Sequence, residues 1–126
     1  MGLGDAGAHV GQIMDAGQPT WFLSHWVRDT KTFTLEEAVR RLTSDTADLF
    51  GIANRGRLAV DAYADINVID LDSLTLHLPT AAQDFPRGAS RYIQHATGYE
   101  ATIVNGAVFM EHGEHTGALV GTTLRS

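Results

Sequence analysis

A carboxylate and an imidazole, Asp5 and His9, sit in the glycine-rich stretch Gly4-Asp5-Ala6-Gly7-Ala8-His9-Val10-Gly11. An aspartate at the C-terminal end of a barrel strand can bind a metal or shuttle a proton, because strand C-termini converge on the pocket. The same residue could instead do no more than cap the next helix. His9 could donate to a substrate carboxylate or pack at the helix start, and packing is the preferred reading. The same stretch matches the dinucleotide fingerprint through Gly2-Leu3-Gly4-Asp5-Ala6-Gly7. That motif needs a strand before it and a long helix after it. Pro19 would soon interrupt such a helix, so cofactor binding is set aside.

Two other constellations call for the same weighing. Trp21, His25 and Trp26 lie on one helix-like stretch and could line a pocket, although a core or interface role is favoured. Glu111-His112-Gly113-Glu114-His115 has the His-x-x-His spacing that can hold zinc on a helix. Gly113 comes after an expected strand, however, so a solvated turn between strands is the better reading. His77 and His95 stand alone in the sequence.

The elements that would position these residues fall into three textures. Pro19-Thr20-Trp21-Phe22-Leu23-Ser24-His25-Trp26-Val27 is apolar on nearly every face and predicts a short buried helix started by Pro19. Thr34-Leu35-Glu36-Glu37 is a capping box, and Leu35, Ala38, Val39 and Leu42 then share one face. Ser44 is expected to cap a second short helix over residues 45–50, closed by Gly51 in a left-handed conformation. From about Gly56 the period changes. Residues 64–71 alternate and are β-branched, which predicts a strand. Thr102-Ile103-Val104, Asn105-Gly106 and Ala107-Val108-Phe109-Met110 predict a hairpin with a type I′ turn. Residues 80–90, with Pro86 and Gly88, are expected to form a loop.

Bulk properties bound the answer. The 126 residues make one domain or less, and the 44% hydrophobic, 19% charged composition is that of a globular protein. A formal net charge of −6 disfavours nucleic acid and anionic membrane surfaces as partners. The absence of cysteine excludes disulfides and thiolate metal sites. No apolar run reaches the roughly 20 residues that span a bilayer, and a cytoplasmic location is the default expectation. The opening reads as the last strand-to-loop junction of a larger catalytic domain.

Taken in order, these residues resemble a family. After the Gly-Asp-Ala-Gly-Ala-His opening come Leu35-Glu36-Glu37-Ala38-Val39-Arg40-Arg41-Leu42-Thr43 and Leu49-Phe50-Gly51-Ile52. Then come Arg55-Gly56-Arg57-Leu58, Ala64-Asp65-Ile66-Asn67-Val68-Ile69-Asp70, Val104-Asn105-Gly106 and Thr116-Gly117-Ala118. Nearly the whole chain resembles the C-terminal part of the amidohydrolase superfamily, in its N-acyl-D-amino-acid deacylase (D-aminoacylase) branch. The resemblance implies an α+β chain: the last strand-loop and helices of a (β/α)8 barrel over residues 1–55, then the C-terminal strands of a small β-sandwich over residues 56–126.

By the resemblance, Asp5 matches the aspartate after the eighth barrel strand, which activates a metal-bound water and passes its proton to the leaving amine. His9 is carried as a substrate-binding candidate. Zinc is implied for the complete enzyme. The family's other ligands find no match here, so Asp5 is the one residue of this chain that could touch the metal. An N-acyl amino acid is the implied substrate, and a homo-oligomer is expected. Val60-Asp61-Ala62 departs from the family, which has a glycine in that turn, so the turn is expected to differ. The chain alone is expected to be inactive. Two rivals stay open: a non-catalytic α+β association module, and a hydrolase of cyclic amides.

Overall fold

The computed structural model describes Gly4, Ala6, Gly11, Ile13 and residues 15–123. The α- and π-helical elements come first and the strands after, with one 3-10 turn, Pro86–Gly88, among them. α1 (Gln18–Trp21) starts with proline in its first turn, where a missing N–H costs nothing, as the sequence predicts. It runs directly into a π-helical turn, Phe22–Asp29. The wider register is visible where the Thr30 N–H reaches back to the His25 carbonyl at 2.9 Å. The Ser24 hydroxyl bonds to the Thr20 carbonyl at 2.9 Å at the junction, the back-bonding by which serine perturbs a helix. The stretch is not buried all round. Phe22, Leu23, Ser24 and Val27 face inward, whereas Trp21 is 51% and Trp26 41% exposed.

α2 (Leu35–Leu42) begins as its capping box predicts on one side only. The Thr34 hydroxyl accepts from the Glu37 N–H at 3.2 Å. The Glu37 carboxylate pairs forward with Arg41 at 2.8 Å, an i,i+4 ion pair on the helix surface. Of the expected apolar face, Ala38 is fully buried and Leu42 partly so, while Leu35 and Val39 stay exposed. α3 (Ser44–Leu49) includes Ser44 itself, and its N-cap is Thr43, with no side-chain cap bond. Its end agrees with the sequence reading: Gly51 takes φ +66. The Ile52 N–H then reaches the Ala47 carbonyl and the Gly51 N–H the Asp48 carbonyl, the paired bonds of a Schellman stop.

Eight strands come after the helices among the described residues. β1 (Ile66–Ile69), β6 (Tyr99–Val104), β7 (Ala107–Glu111) and β8 (Glu114–His115) form an antiparallel sheet in the order β1-β6-β7-β8. β1 keeps only the centre of the expected strand. The β6–β7 hairpin forms as predicted, Val104 opposite Ala107, with Asn105 at φ 50 and Gly106 at φ 82 supplying the type I′ turn. β2 (Thr75–Leu76) pairs with β5 (Ala96–Thr97), and β3 (Thr80–Ala82) with β4 (Arg91–Ile93). Together they make a two-stranded ribbon whose register slips by one residue between Leu76↔Ala96 and Thr80↔Ile93. Residues 80–90 are therefore strand at their start and afterwards a loop that contains a short 3-10 turn, Pro86–Gly88. The Asp84–Arg91 pair, two bonds at 2.8 and 2.6 Å, closes that loop.

The core joins helices to strands. Phe22, Leu23, Val27 and Ala38 pack with Leu74 from the β1–β2 turn, and Phe33, Leu42, Ile69, Leu71 and Tyr99 surround them. Gly98 makes this approach possible. A Cβ there would stand 2.6 Å from the Leu74 Cα, and its φ of +92 is one that side chains rarely adopt.

Candidate functional site

Asp5, His9 and most of the Gly2–Gly7 fingerprint lie outside the described residues. Of their described sequence neighbours, Gly4 is exposed and Ala6 half-buried. The Ala6 N–H donates to the Gly4 carbonyl at 2.7 Å. A Cβ at Gly4 would stand 2.9 Å from the Asp15 carbonyl oxygen. Asp15 leads through Gly17 into α1, and Gly17 lies under the Leu76 isopropyl group and the Gln94 side chain. Gly4 thus lies close to the backbone that leads into α1, and the start of α1 lies against the ribbon.

The π-helical turn gathers the aromatic candidates. His25 stacks on Trp21 with ring centroids 4.6 Å apart and planes 12° from parallel, and Trp26 meets His25 edge-on at 5.0 Å. Two shallow clefts flank Trp21. One, of about 240 Å³, is lined by Asp15, Gly17, Gln18, Trp21, Leu76 and Gln94. The other, of about 450 Å³, is lined mainly by Trp21, Phe22, Trp26 and Phe33. The Arg41 guanidinium lies over Phe33 at 4.9 Å.

The remaining histidines are held locally. His112-Gly113 forms the β7–β8 turn, with φ 47 and 84. The His112 Nδ1 meets the Glu100 carboxylate at 3.0 Å. His115 Nδ1 accepts from the Gly117 N–H at 2.8 Å, and its ring packs edge-on against Phe109. This is the solvated turn read from the sequence. The His77 N–H donates to the His95 carbonyl across the ribbon, and the His77 ring contacts the Thr97 hydroxyl at 3.2 Å. Among the described residues, no three His, Cys, Asp or Glu side chains come together to hold a metal.

Two arrangements escape sequence reasoning. Arg28 Nη1 donates to the Leu71, Asp72 and Leu74 carbonyls at 3.2, 3.3 and 2.5 Å. Its Nε bonds to Asp29, which raises the Arg28 pKa and lowers that of Asp29. The only signal in the sequence is a lone arginine ending an apolar stretch. The second is a knot. Arg55 donates to Asp65 and, at 3.1 Å, to the Asn105 side chain, while stacking over Tyr63 at 4.3 Å. The Asn105 N–H returns to Asp65 at 2.9 Å, and its side-chain amide donates to the Val120 carbonyl at 2.6 Å. The Arg55-Gly56, Ala64-Asp65 and Val104-Asn105-Gly106 motifs, far apart in sequence, meet there as a structural clasp.

The turn at Val60-Asp61-Ala62 keeps a glycine-type geometry without glycine. The Ala62 N–H bonds to the Ala59 carbonyl at 3.2 Å, and Asp61 takes φ 67. Glycine is the usual residue at a turn position with positive φ.

Comparison with known proteins gives this chain a context. Residues 2–110 match the amidohydrolase family. The chain is 43% identical over 94 residues to an N-acyl-D-glutamate deacylase of Alcaligenes xylosoxydans xylosoxydans, covering 74% of this chain and 17% of that one. A D-aminoacylase mutant in complex with copper chloride superposes with TM-score 0.67 and 32% identity, over 86% of this chain and 21% of its own. An N-acyl-D-glutamate deacylase from Bordetella bronchiseptica, complexed with zinc and a phosphonate mimic of the tetrahedral intermediate, superposes with TM-score 0.52 and 31% identity, over 81% and 20%. The chain spans about a fifth of the length of these relatives.

Proposed function

Because the chain belongs to the amidohydrolase family, we propose that it is the C-terminal portion of an enzyme that hydrolyses the amide bond of N-acyl-D-amino acids. The 43% identity to an N-acyl-D-glutamate deacylase carries this reading. Residues 1–55 would belong to the barrel and residues 56–126 to the β-sandwich. Asp5 is the acid–base residue of this chain. It takes the proton from the attacking water and delivers it to the departing nitrogen. His9 is the candidate for the substrate carboxylate.

Zinc is the proposed metal of the complete enzyme, where it would polarise the amide carbonyl. The described residues offer no cluster that fits it, and Asp5, the one residue of this chain proposed to touch it, lies outside them. The half-exposed Trp21 and Trp26 support self-association of the isolated chain, since an apolar patch of this kind usually marks an interface. A cytoplasmic location completes the reading.

The test joins this chain to the upstream portion of the Alcaligenes N-acyl-D-glutamate deacylase and assays N-acyl-D-amino acids against cyclic amides. Release of free D-amino acid by a zinc-retaining protein is expected. A folded, zinc-loaded chimera that opens only cyclic amides overturns the substrate assignment. One that binds no metal and cleaves neither class supports the association module instead.

A further inference from the structure

The ribbon touches the start of α1, and the backbone just before that helix lies close to Gly4. Gly17 is the N-cap of α1, and a Cβ there would fall 2.5 and 2.6 Å from the Leu76 methyl carbons and 2.8 Å from the Gln94 side-chain oxygen. The bare glycine face is therefore what lets the ribbon sit on the helix start. Gln94 is itself fixed, its side-chain amide donating to the His77 carbonyl at 2.9 Å where the ribbon register slips. Two residues upstream, the Asp15 carbonyl oxygen lies where a Cβ of Gly4 would come within 2.9 Å. Backbone cannot swing aside as a leucine tip can, so Gly4 sits closely on Asp15. The Thr20 hydroxyl and the Tyr99 hydroxyl, 2.8 Å apart, tie α1 to β6 as well. The route from the ribbon to Gly4 is thus Leu76 and Gln94, Gly17, Asp15.

We infer that Leu76 and Gln94 are positioning residues for the backbone of Gly4 and Ala6, acting through Gly17 and Asp15. The inference rests on the reading of Asp5 as the acid–base residue only for its catalytic meaning. A proton-transfer group must lie within hydrogen-bond reach of its target, so a loosened stretch would be felt in the reaction. Leu76 and Gln94 touch no reacting atom in this scheme. They set where the neighbours of Asp5 stand.

The test needs no activity and uses the 126-residue chain itself. Backbone ¹⁵N relaxation gives amide order parameters for Gly4 and Ala6 in the wild type and in the Leu76→Ala, Gln94→Ala and Leu76→Met variants. Leu78→Ala, an exposed site on the same ribbon, is the control. Rigid backbone gives order parameters of about 0.85 and flexible backbone below about 0.6. Gly4 and Ala6 are expected near the upper value in the wild type, the Leu78→Ala control and Leu76→Met. They should fall toward the lower value in Leu76→Ala and Gln94→Ala, while the β6 amides stay unchanged. Low values already in the wild type overturn the inference. So do unchanged values at Gly4 and Ala6 in both alanine variants. Should Leu76→Ala unfold, Gln94→Ala decides alone, because its loss leaves no core cavity. Failure of this experiment leaves the role of Asp5 standing, and failure of that role leaves the coupling standing.

Discussion

Arg28 Nη1 donates to the Leu74 carbonyl oxygen at 2.5 Å, although the two residues are 46 apart in sequence. The guanidinium closes over the turn that delivers the Leu74 side chain, 0% exposed, among Phe22, Leu23 and Val27. A residue of the β-unit thereby sits in the core of the helical unit. Packing and hydrogen bonding cross the same boundary at the same place, so the two parts hold each other's cores together.

The consequence for stability is direct. Leu74→Ala removes a fully buried side chain from a tight environment, and such truncations typically cost about 2–5 kcal/mol. Thermal unfolding should be a single transition, with far-ultraviolet circular dichroism and tryptophan fluorescence giving the same midpoint, because Trp21 and Trp26 lie in the helical part and Leu74 in the other. Leu74→Ala should lower both midpoints together. Separate midpoints in the wild type would mean that residues up to about 55 and those after it unfold independently.

Asp61 offers a gain instead. An aspartate at φ 67 tolerates the left-handed region better than most residues but less well than glycine. Asp61→Gly should be neutral to stabilising by up to about 1 kcal/mol, read as an increase in the urea midpoint at unchanged slope. Asp61→Ala should destabilise, since alanine tolerates the left-handed region less well than aspartate. A marked loss on Asp61→Gly would show that the Asp61 side chain does more than fill a turn.

Much of this is legible in the sequence where the cause is local. The Asn105-Gly106 hairpin turn, the Thr34 cap and the Gly51 stop each depend on a few adjacent residues, and each appears as read. The misreadings are tertiary. Glu37 has Arg41 within reach and pairs forward rather than back. Residues 80–82 become a strand because residues 91–93 lie opposite them. The Trp21–Trp26 stretch is apolar all round in sequence, yet only one side meets Leu74. The Arg55–Asp65–Asn105 clasp joins three motifs that periodicity cannot connect. Asp5 and His9 rest on their motif alone.

Acid should weaken the fold in one direction only. Arg57 beside Asp48, Arg91 beside Asp84 and Arg28 beside Asp29 each hold the carboxyl below its usual range, chiefly through the side-chain hydrogen bond. The Ser73 hydroxyl and the Asp72 and Ser73 N–H groups do the same for Asp70. A folded-state pKa below the unfolded value contributes stability above the unfolded pKa, near 3.9 for aspartate, and loses it as pH falls through the folded value. The melting temperature should therefore be level from about pH 7 to 5 and decline below about pH 4. These pairs are exposed, so each contributes little, and Asp84→Asn alone should flatten the acid limb only slightly. A melting temperature that rises on acidification would contradict the assignment.

The proposed acid–base role of Asp5 is tested in the chimera with the upstream portion of the Alcaligenes deacylase. Asp5→Asn keeps the size of the side chain and much of its hydrogen bonding but removes the proton acceptor. General acid–base catalysis typically contributes a factor of about 10² to 10⁴, and kcat should fall by at least that much while the protein still folds. A helix cap behaves differently, because asparagine caps as well as aspartate, and the substitution would then be nearly silent. The decline in kcat should also exceed any change in KM, since a proton transfer is made in the transition state rather than on binding. A loss in kcat of less than about tenfold, which is less than about 1.4 kcal/mol of barrier, with folding intact would return Asp5 to the capping role.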